Sequence, residues 1–339
     1  MKRVLLIYIL FLIPFLVLLP SDAQEPKAKA KVFFESGEKW RRGKKDLDKA
    51  IAAYTEAIRL DPDFTEAYFQ RGMCWADKPQ RQLGKAIADF DETIKRDPKH
   101  REAYIRRGMA SLDQKDYKNA IADFTHAIKI EPADPELSGL TELFSMRGFA
   151  WLGKKDYDKA IADFDRVISR DSRDTVTYYR RGTAWLGKKN YDKAFTDFNS
   201  AVRNDDRNPI YISYRGFARF YKKEYEQAIA DFDLSEKLYP DGDWVYQHRA
   251  IMLATCSEPK YRDGKKAIEQ AQKALKRAIW PESKTITHSA LAAAYAEAGD
   301  FAEAVREQEE VLADPAYRDD KDMRARLELY KKKQPLRQP

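Results

Sequence analysis

Large apolar and small residues alternate along most of this chain in a pattern that returns about every 34 residues. The segment Ala-Ile-Ala-Asp-Phe occurs at 86–90, 120–124, 160–164 and 228–232, and a close variant occurs at 194–198. Self-similarity at a period of this length is typical of proteins built from stacked structural repeats. With the weaker copies included, an alanine marks the same position in each unit: Ala50, Ala86, Ala120, Ala160, Ala194, Ala228, Ala267 and Ala304.

Each unit predicts two helices joined by a short turn. The first carries an aromatic residue, a small residue four places later and often a tryptophan three places further, as at Tyr178, Gly182 and Trp185. These offsets place the three side chains on one helical face. The second helix begins after a capping residue such as Asp156, and a proline such as Pro98 often follows it. The pattern therefore predicts a series of helical hairpins.

A glycine recurs inside the first helix of most units. Glycine in a helix interior costs about 1 kcal/mol relative to alanine, so its recurrence needs a packing reason. We predict that the two helices of a unit approach closely at this column, which comprises Gly72, Gly108, Gly148, Gly182 and Gly216.

The period of 34 residues, the large and small alternation and the helix-ending prolines resemble the tetratricopeptide repeat (TPR). The resemblance covers about residues 31–315. It implies an all-α fold, a right-handed α-solenoid superhelix of about eight TPR-like helix-turn-helix repeats with a C-terminal capping helix. Several places depart from the pattern: Glu38 and Ala292 stand where other repeats have glycine, Ser172 and Asp206 replace the terminal proline, and a loop at 256–264 stretches repeat seven.

The predicted organisation follows from this register. A closing helix is indicated after Pro315, because Met323, Leu327 and Tyr330 share one face between charged residues. The predicted segments are a signal peptide at 1–23, a linker at 24–30, a TPR solenoid at 31–315 with repeats near 31–64, 65–100, 101–134, 141–174, 175–208, 209–242, 243–282 and 285–315, and a capping helix with a basic tail at 316–339.

The N-terminus has the layout of a secretory signal peptide. Lys2 and Arg3 precede an apolar run over 4–19, and small residues allow a cut after Ala23. The run is short for a membrane span, and Pro14 interrupts it. We therefore predict an exported protein, periplasmic or secreted. The alternative is a chain anchored to the membrane by an uncleaved N-terminal helix, and membrane contact is expected only in that case.

Composition and charge narrow the class of function. Hydrophobic residues make up 43% of the chain and charged residues 35%, so a folded and well-solvated protein is expected. The formal net charge is +7, and basic and acidic residues are interleaved along the chain. The sequence shows no basic stripe of the kind that a nucleic-acid-binding face needs. No nucleic-acid partner is predicted. Cys74 and Cys256 lie in different repeats, which predicts two separate thiols.

Sequence patterns for catalysis and metal binding are absent. The sequence contains no phosphate-binding glycine loop and no nucleophile elbow. Four histidines are scattered without a paired metal-ligand spacing: His100, His126, His248 and His288. We predict that the protein is not an enzyme and has no cofactor, no metal site and no small-molecule substrate. The alternative is an enzyme or metal protein whose site is assembled across repeats.

An arginine stands one residue before the recurring glycine in the first helices. Most of the repeats that have this arginine also have an aspartate at a fixed position in the second helix. One hypothesis makes the arginines a ladder for an acidic ligand; the other, which their joint occurrence favours, pairs each with an aspartate. Pairing within a repeat leaves Arg249 without its aspartate, and pairing with the preceding repeat leaves Arg71 without one. The columns are Arg71, Arg107, Arg147, Arg181, Arg215 and Arg249, and Asp89, Asp123, Asp163, Asp197 and Asp231.

The resemblance also implies a binding surface, because the first helices of TPR proteins line a concave face. The predicted peptide-binding groove consists of Phe69, Met73, Ile105, Met109, Phe149, Tyr179, Phe217, Phe220, Trp244 and Ile251. We predict a non-catalytic scaffold that binds a peptide or protein segment in this groove. Burial of these side chains by neighbouring first helices is one alternative. A structural spacer or assembly factor of the cell envelope, without a saturable peptide ligand, is another.

Overall fold

A computed structural model describes residues 21–130 and 139–338, with the backbone alone at 21–24 and 44. The signal peptide predicted at 1–23 therefore lies outside the residues whose side chains are described. The chain divides into two units, residues 1–135 and 136–339, and each is described by itself. No helix of the described residues is both long enough and apolar enough to cross a membrane.

The first unit consists of three helical hairpins. A π-helical turn at Lys39–Lys44 follows its first helix. Helix α1 includes residues 24–30, so this segment, predicted as a linker, is helical. The helices pack in sequence order and are α1 (Ser21–Glu38), α2 (Leu47–Leu60), α3 (Thr65–Asp77), α4 (Leu83–Arg96), α5 (Arg101–Asp113) and α6 (Tyr117–Lys129).

The second unit contains five hairpins and a closing helix. A short 3₁₀ turn at Pro259–Tyr261 lies in the loop that stretches repeat seven. The helices are α7 (Leu140–Gly153), α8 (Tyr157–Arg170), α9 (Thr175–Gly187), α10 (Tyr191–Asn204), α11 (Pro209–Tyr221), α12 (Tyr225–Leu238), α13 (Asp243–Thr255), α14 (Gly264–Arg277), α15 (Pro281–Ala298), α16 (Phe301–Ala313) and α17 (Lys321–Lys331). The predicted all-α repeat fold is confirmed, while the right-handed sense of the superhelix stays a prediction.

The glycine column lies where the two helices of a hairpin approach most closely. A Cβ atom at Gly182 would lie 2.7 Å from the ring of Phe198 on α10, and one at Gly148 would lie 2.7 Å from the ring of Phe164 on α8. Both rings are fully buried. A methyl group has no room at these distances, so the predicted packing reason for the glycines is confirmed.

The structure corrects the predicted register of repeat one. Gly37, rather than Glu38, makes the close approach, because a Cβ there would lie 2.5 Å from the ring of Tyr54 on α2. The π-helical turn at Lys39–Lys44 inserts a residue after α1 and shifts the apparent alignment by one. Glu38 instead accepts a hydrogen bond from the Tyr54 hydroxyl at 2.5 Å.

The arginine and aspartate columns form ion pairs, as the structural hypothesis predicts. Arg181 Nε and Nη2 donate to the two carboxylate oxygens of Asp197 in the same repeat, at 2.8 and 2.6 Å. Its remaining Nη1 donates to Asp165 of the preceding repeat at 2.6 Å. The same two-oxygen pairing occurs within repeats at Arg71–Asp89, Arg107–Asp123, Arg147–Asp163 and Arg215–Asp231.

Arg249 shows the second pairing scheme alone. Its own repeat lacks the aspartate, and it pairs with Asp233 and Glu236 of the preceding repeat at 2.8 and 2.6 Å. Arg107 and Arg181 combine both schemes, because each pairs with an aspartate of its own repeat and with one of the repeat before it. Their guanidinium groups are engaged in the fold, which removes the basis for a ladder that binds an acidic ligand.

The two cysteines are free and buried. Cys74 packs against Tyr54 and Ala50 in the first unit, and Cys256 belongs to the core of the second unit around Phe220 and Phe232. The predicted pair of separate thiols is confirmed.

Candidate functional site

An open cavity of about 410 Å³ lies between the first helices α7, α9 and α11 of the second unit. Its lining is mostly apolar, with a polar side chain from each of α9 and the turn before α11. We call it the open cavity; its lining residues are Phe149, Leu152, Val176, Tyr179, Arg180, Thr183, Asn208, Ile210 and Tyr211.

Two large apolar side chains at the open cavity are exposed to solvent. Phe149 is 39% exposed and Val176 is 43% exposed. Phe149 follows the close-contact glycine of α7, so its side chain leaves the helix away from α8. Val176, Tyr179 and Thr183 are spaced by three and four residues and share one face of α9. Exposed apolar side chains therefore border a concave surface between these helices.

Arg180 is the basic group of the open cavity. Its guanidinium lies over the ring of Phe149, 4.8 Å from the ring centroid, and its Nη1 donates to Ser145 Oγ at 3.1 Å. Burial lowers the pKa of Arg180. Among the residues that the structure describes, no carboxylate forms a salt bridge with it, whereas the adjacent Arg181 has two. Arg180 therefore retains donors for a carboxylate from outside the chain.

A second cavity of about 400 Å³ is covered by the end of the chain. On one side it meets α9, α11 and the turn after α9; on the other it meets α17 and the last residues, 336–338. We call it the covered cavity; it is lined by Leu186, Lys189, Tyr191, Phe217, Tyr221, Asp322, Ala325, Arg326, Leu329, Leu336, Arg337 and Gln338.

Helix α17 is held by one buried face and by ion pairs. Tyr330 is fully buried against Ala292, Ala296 and Ala304 of the last hairpin. At the start of α17, Asp320 pairs with Lys155 at 2.9 Å and Asp322 pairs with Lys189 at 3.0 Å. The closing helix therefore contacts α15 and α16 and also the turns that follow α7 and α9.

The structure separates the ten predicted groove residues into different environments. Phe69 and Phe220 are buried in hydrophobic cores, so neither is exposed in an open groove in this structure, while the binding role of the ten residues stays a prediction. Phe149 and Tyr179 line the open cavity, and Phe217 lines the covered cavity. The remaining five are half-buried, in the first unit at Met73, Ile105 and Met109 and in the second at Trp244 and Ile251.

Sequence reasoning missed seven of the nine residues that line the open cavity, among them Val176, Arg180 and Ile210. Val176 and Ile210 stand near the start of their helices, and the glycine-based register did not reach that far. Arg180 was passed over because the next residue belongs to the arginine column. The spacing of Val176, Tyr179 and Thr183 along α9 was the available signal.

The open cavity is large enough for a side chain, and both polar and apolar groups line it. Its polar groups are an arginine, a threonine, an asparagine and two tyrosines. The Asn208 side chain already caps α11 by accepting from the backbone N–H groups of Ile210 and Tyr211. Over residues 21–130 and 139–338, no cluster of three or more His, Cys, Asp or Glu residues could hold a metal ion.

Comparisons with known proteins agree with this architecture. A family model described as Tetratricopeptide repeat matches residues 78–135 and 151–209, and one described as TPR repeat matches residues 42–73. A tetratricopeptide repeat protein from Parabacteroides merdae is similar in structure over 79% of this chain and 99% of its own, with 18% identity and a TM-score of 0.58. No curated protein matches the chain in sequence.

Two further solved structures cover shorter parts of the chain. The TPR domain of Arabidopsis OM64 is 30% identical over 35% of this chain and 96% of its own, with a TM-score of 0.31. YrrB, described as a TPR protein with an unusual peptide-binding site, is 20% identical over 57% of this chain and 96% of its own, with a TM-score of 0.48.

Proposed function

The chain belongs to the tetratricopeptide repeat family, whose members are protein-interaction scaffolds, and we propose that it binds a segment of a partner protein at the open cavity without catalysing a reaction. The observation that carries this proposal is the exposed pair Phe149 and Val176 beside a cavity large enough for a side chain. A spacer without a ligand would gain nothing from leaving this apolar surface in water.

Arg180 adds a preference for charge. A guanidinium that has lost solvent and has no carboxylate partner gains more from an incoming carboxylate than a fully hydrated one does. The partner segment we propose therefore carries a large apolar side chain next to an aspartate or glutamate. The apolar side chain enters beside Phe149, Val176 and Tyr179, and the carboxylate accepts from Arg180.

The binding free energy that these contacts can supply indicates how much of the partner segment must contact the protein. Micromolar binding requires about 8 kcal/mol, whereas completing the burial of two apolar side chains supplies at most about 3 kcal/mol each. A charge-assisted hydrogen bond adds about 1.5–3 kcal/mol. Because binding also costs conformational entropy, the partner must contact residues beyond these three. We therefore expect a segment of several residues rather than a single side chain.

The proposed place of this interaction is outside the cytoplasm. The apolar leader and the possible cut after Ala23 support export, to the periplasm or beyond. A chain that keeps its N-terminal helix would present the same cavity at a membrane surface.

The test uses two variants that place a charge at equally exposed apolar positions. Phe149→Glu introduces a carboxylate at the open cavity, and Ile229→Glu does so on α12, where Ile229 is 38% exposed. Partner segments are first found by crosslinking in the native envelope and then made as pure peptides. We expect Phe149→Glu and Arg180→Gln to weaken peptide binding at least tenfold, and Ile229→Glu to leave it unchanged.

The helix content of each variant, measured by circular dichroism, serves as the folding control. Equal affinity of Phe149→Glu and wild-type protein for the peptide would remove the open cavity as the binding site. Failure to find any saturable peptide ligand would favour the structural spacer.

A further inference from the structure

The end of the chain is held against the second unit as an extended peptide. The backbone N–H of Gln338 donates to the carbonyl oxygen of Thr255 at 2.8 Å, and Gln338 forms an isolated parallel β-bridge with Cys256. Its side-chain Oε1 accepts from the Tyr221 hydroxyl at 3.0 Å and from Thr255 Oγ1 at 3.2 Å. Main-chain pairing combined with side-chain contacts is a general mode of peptide recognition.

A charge pair lies one residue earlier. Arg337 pairs with Glu297 at 2.6 Å, and Glu297 also pairs with Arg262 at 3.0 Å. The Glu297 side chain is mostly buried, and its pairing with Arg262 does not involve the end of the chain. We call Tyr221, Thr255, Cys256 and Glu297 the cradle, and residues 334–338 the tail.

The chain is directed to the cradle by the turn that ends α17. Lys333 has a left-handed φ of 54°, its N–H donates to Tyr330 O at 2.9 Å, and the next N–H, of Gln334, donates to Leu329 O at 3.0 Å. These bonds stop the helix and reverse the chain. Leu336 then packs beside the cluster around Tyr330.

The tail covers the first-helix face without filling it. Gln334 and Arg337 are exposed, and only Pro335, Leu336 and Gln338 are half-buried. Beneath the tail and α17 lies the covered cavity of about 400 Å³, against Phe217 and Tyr221. Because no residue of the tail that the structure describes is fully buried, few dispersion contacts hold the tail down. Specific polar bonds with little buried area are typical of an exchangeable ligand.

We propose that the cradle is a second peptide-binding site and that the tail of the chain is its intramolecular ligand. The site takes an extended segment with a glutamine at the β-bridge and a basic residue before it. A partner segment of this chemistry displaces the tail and gains access to Phe217 and Tyr221. This site is distinct from the open cavity, so it stands whether or not Phe149 and Arg180 bind a partner.

The test compares the full chain with a chain truncated after Gln334, which keeps the turn at the end of α17. The probe is a fluorescent peptide with the sequence of residues 334–339, and binding is measured by fluorescence anisotropy. A tethered ligand has an effective concentration on the order of 1 mM. We therefore expect saturable binding to the truncated chain and binding at least tenfold weaker to the full chain.

Matched variants separate the cradle from nonspecific contacts. In the truncated chain, Tyr221→Phe should weaken peptide binding several-fold, because one of the two donors to the glutamine is lost while Thr255 Oγ1 remains. Tyr239→Phe changes an exposed tyrosine of the same unit and should have no effect. A peptide with alanine in place of the glutamine equivalent to Gln338 loses both contacts, so it should bind the truncated chain at least as weakly as the Tyr221→Phe variant binds the parent peptide.

A second experiment with the full chain applies if the truncated chain does not fold. Gln338→Ala in the full chain weakens the tail but keeps its length, so the added peptide should bind this variant more tightly than the wild type. Equal binding to full and truncated chains, or no binding to a folded truncated chain at millimolar peptide, would overturn the proposal.

Discussion

At the scale of single residues, the recurring arginine is the side chain that joins one repeat to the next. Arg181 contacts carboxylates of two repeats, Asp197 and Asp165, with three of its nitrogens. Lysine carries one ammonium and cannot span both carboxylates in this geometry. Arg180, one residue earlier, faces the open cavity instead. Neighbouring arginines on one helix thus serve the fold and, in our proposal, the partner.

His248 is a buried group that should couple stability to pH. It is almost fully buried, hydrogen-bonds through Nδ1 with Ser213 Oγ at 2.9 Å and stacks on Phe217. Burial lowers the pKa of His248 from 6.5 to about 3. Between these values the unfolded chain binds a proton that the folded chain does not, so stability falls as pH falls, by about 1.4 kcal/mol per pH unit.

We predict that wild-type protein loses about 2 kcal/mol more than His248→Asn between pH 6.5 and about pH 5. Urea denaturation at the two pH values measures the difference. His100 is the control: its ion pair with Glu66 raises its pKa, so His100 stabilises the fold below pH 6.5, and this contribution is lost as pH rises through the folded-state pKa. His100→Asn should therefore steepen the loss on acidification. A His248→Asn variant with the wild-type pH slope would contradict the prediction.

At the scale of helices, the turns inside the hairpins use lysine where glycine is common. In four of the described hairpins a lysine adopts left-handed backbone at the second residue after the end of the first helix: Lys115, Lys155, Lys189 and Lys223. At Lys155, its N–H donates to Leu152 O at 2.9 Å and the N–H of Asp156 donates to Trp151 O at 3.0 Å. The left-handed residue costs about 1–2 kcal/mol, which the two hydrogen bonds and the Asp156 cap of the next helix offset.

The close approach of paired helices predicts opposite effects for two glycine substitutions in the first unit. A Cβ at Gly108 would lie 2.8 Å from the Phe124 ring, and one at Gly84 would meet nothing within 4 Å. Gly108→Ala should destabilise by about 1–3 kcal/mol through overpacking. Gly84→Ala should stabilise by up to about 1 kcal/mol through helix propensity. Urea denaturation measures both, and a stabilising Gly108→Ala would refute the packing account.

At the scale of the molecule, each unit buries its core by stacking hairpins, and the second unit closes its end with α17. The ends of such arrays need a helix with one apolar and one polar face. Helix α17 provides this face through Leu327 and Tyr330, both buried. The same helix continues into the tail and covers part of the surface that the repeats leave for partners.

Tyr330 should contribute most of the stability that the closing helix provides. Tyr330→Ala empties a fully buried site and should cost about 3–5 kcal/mol, as for other large aromatic residues. Tyr330→Phe should be neutral or stabilising, because the buried hydroxyl has no hydrogen-bond partner among the described residues. Asp322→Asn removes an exposed ion pair and should cost less than about 1 kcal/mol. Thermal denaturation of the three variants tests this order; equal losses would contradict it.

The sequence by itself determined the repeat, the hairpin and the columns within it. The packing of one hairpin on the next imposes the same requirement in every unit, so Gly182 and Phe198, or Arg181 and Asp197, recur at fixed intervals that can be counted. The intervals between repeats did not reveal the insertion at Lys39–Lys44, because one extra residue in a helix changes the register without changing the composition.

Only the tertiary structure decided which apolar side chains remain in water. Phe220 and Phe149 are equally apolar in sequence, but neighbouring helices bury the first and leave the second exposed. Exposure depends on residues that are distant in the chain, and no local pattern records them. For the same reason the contact of Gln338 with Tyr221, 117 residues apart, follows from the folded chain alone.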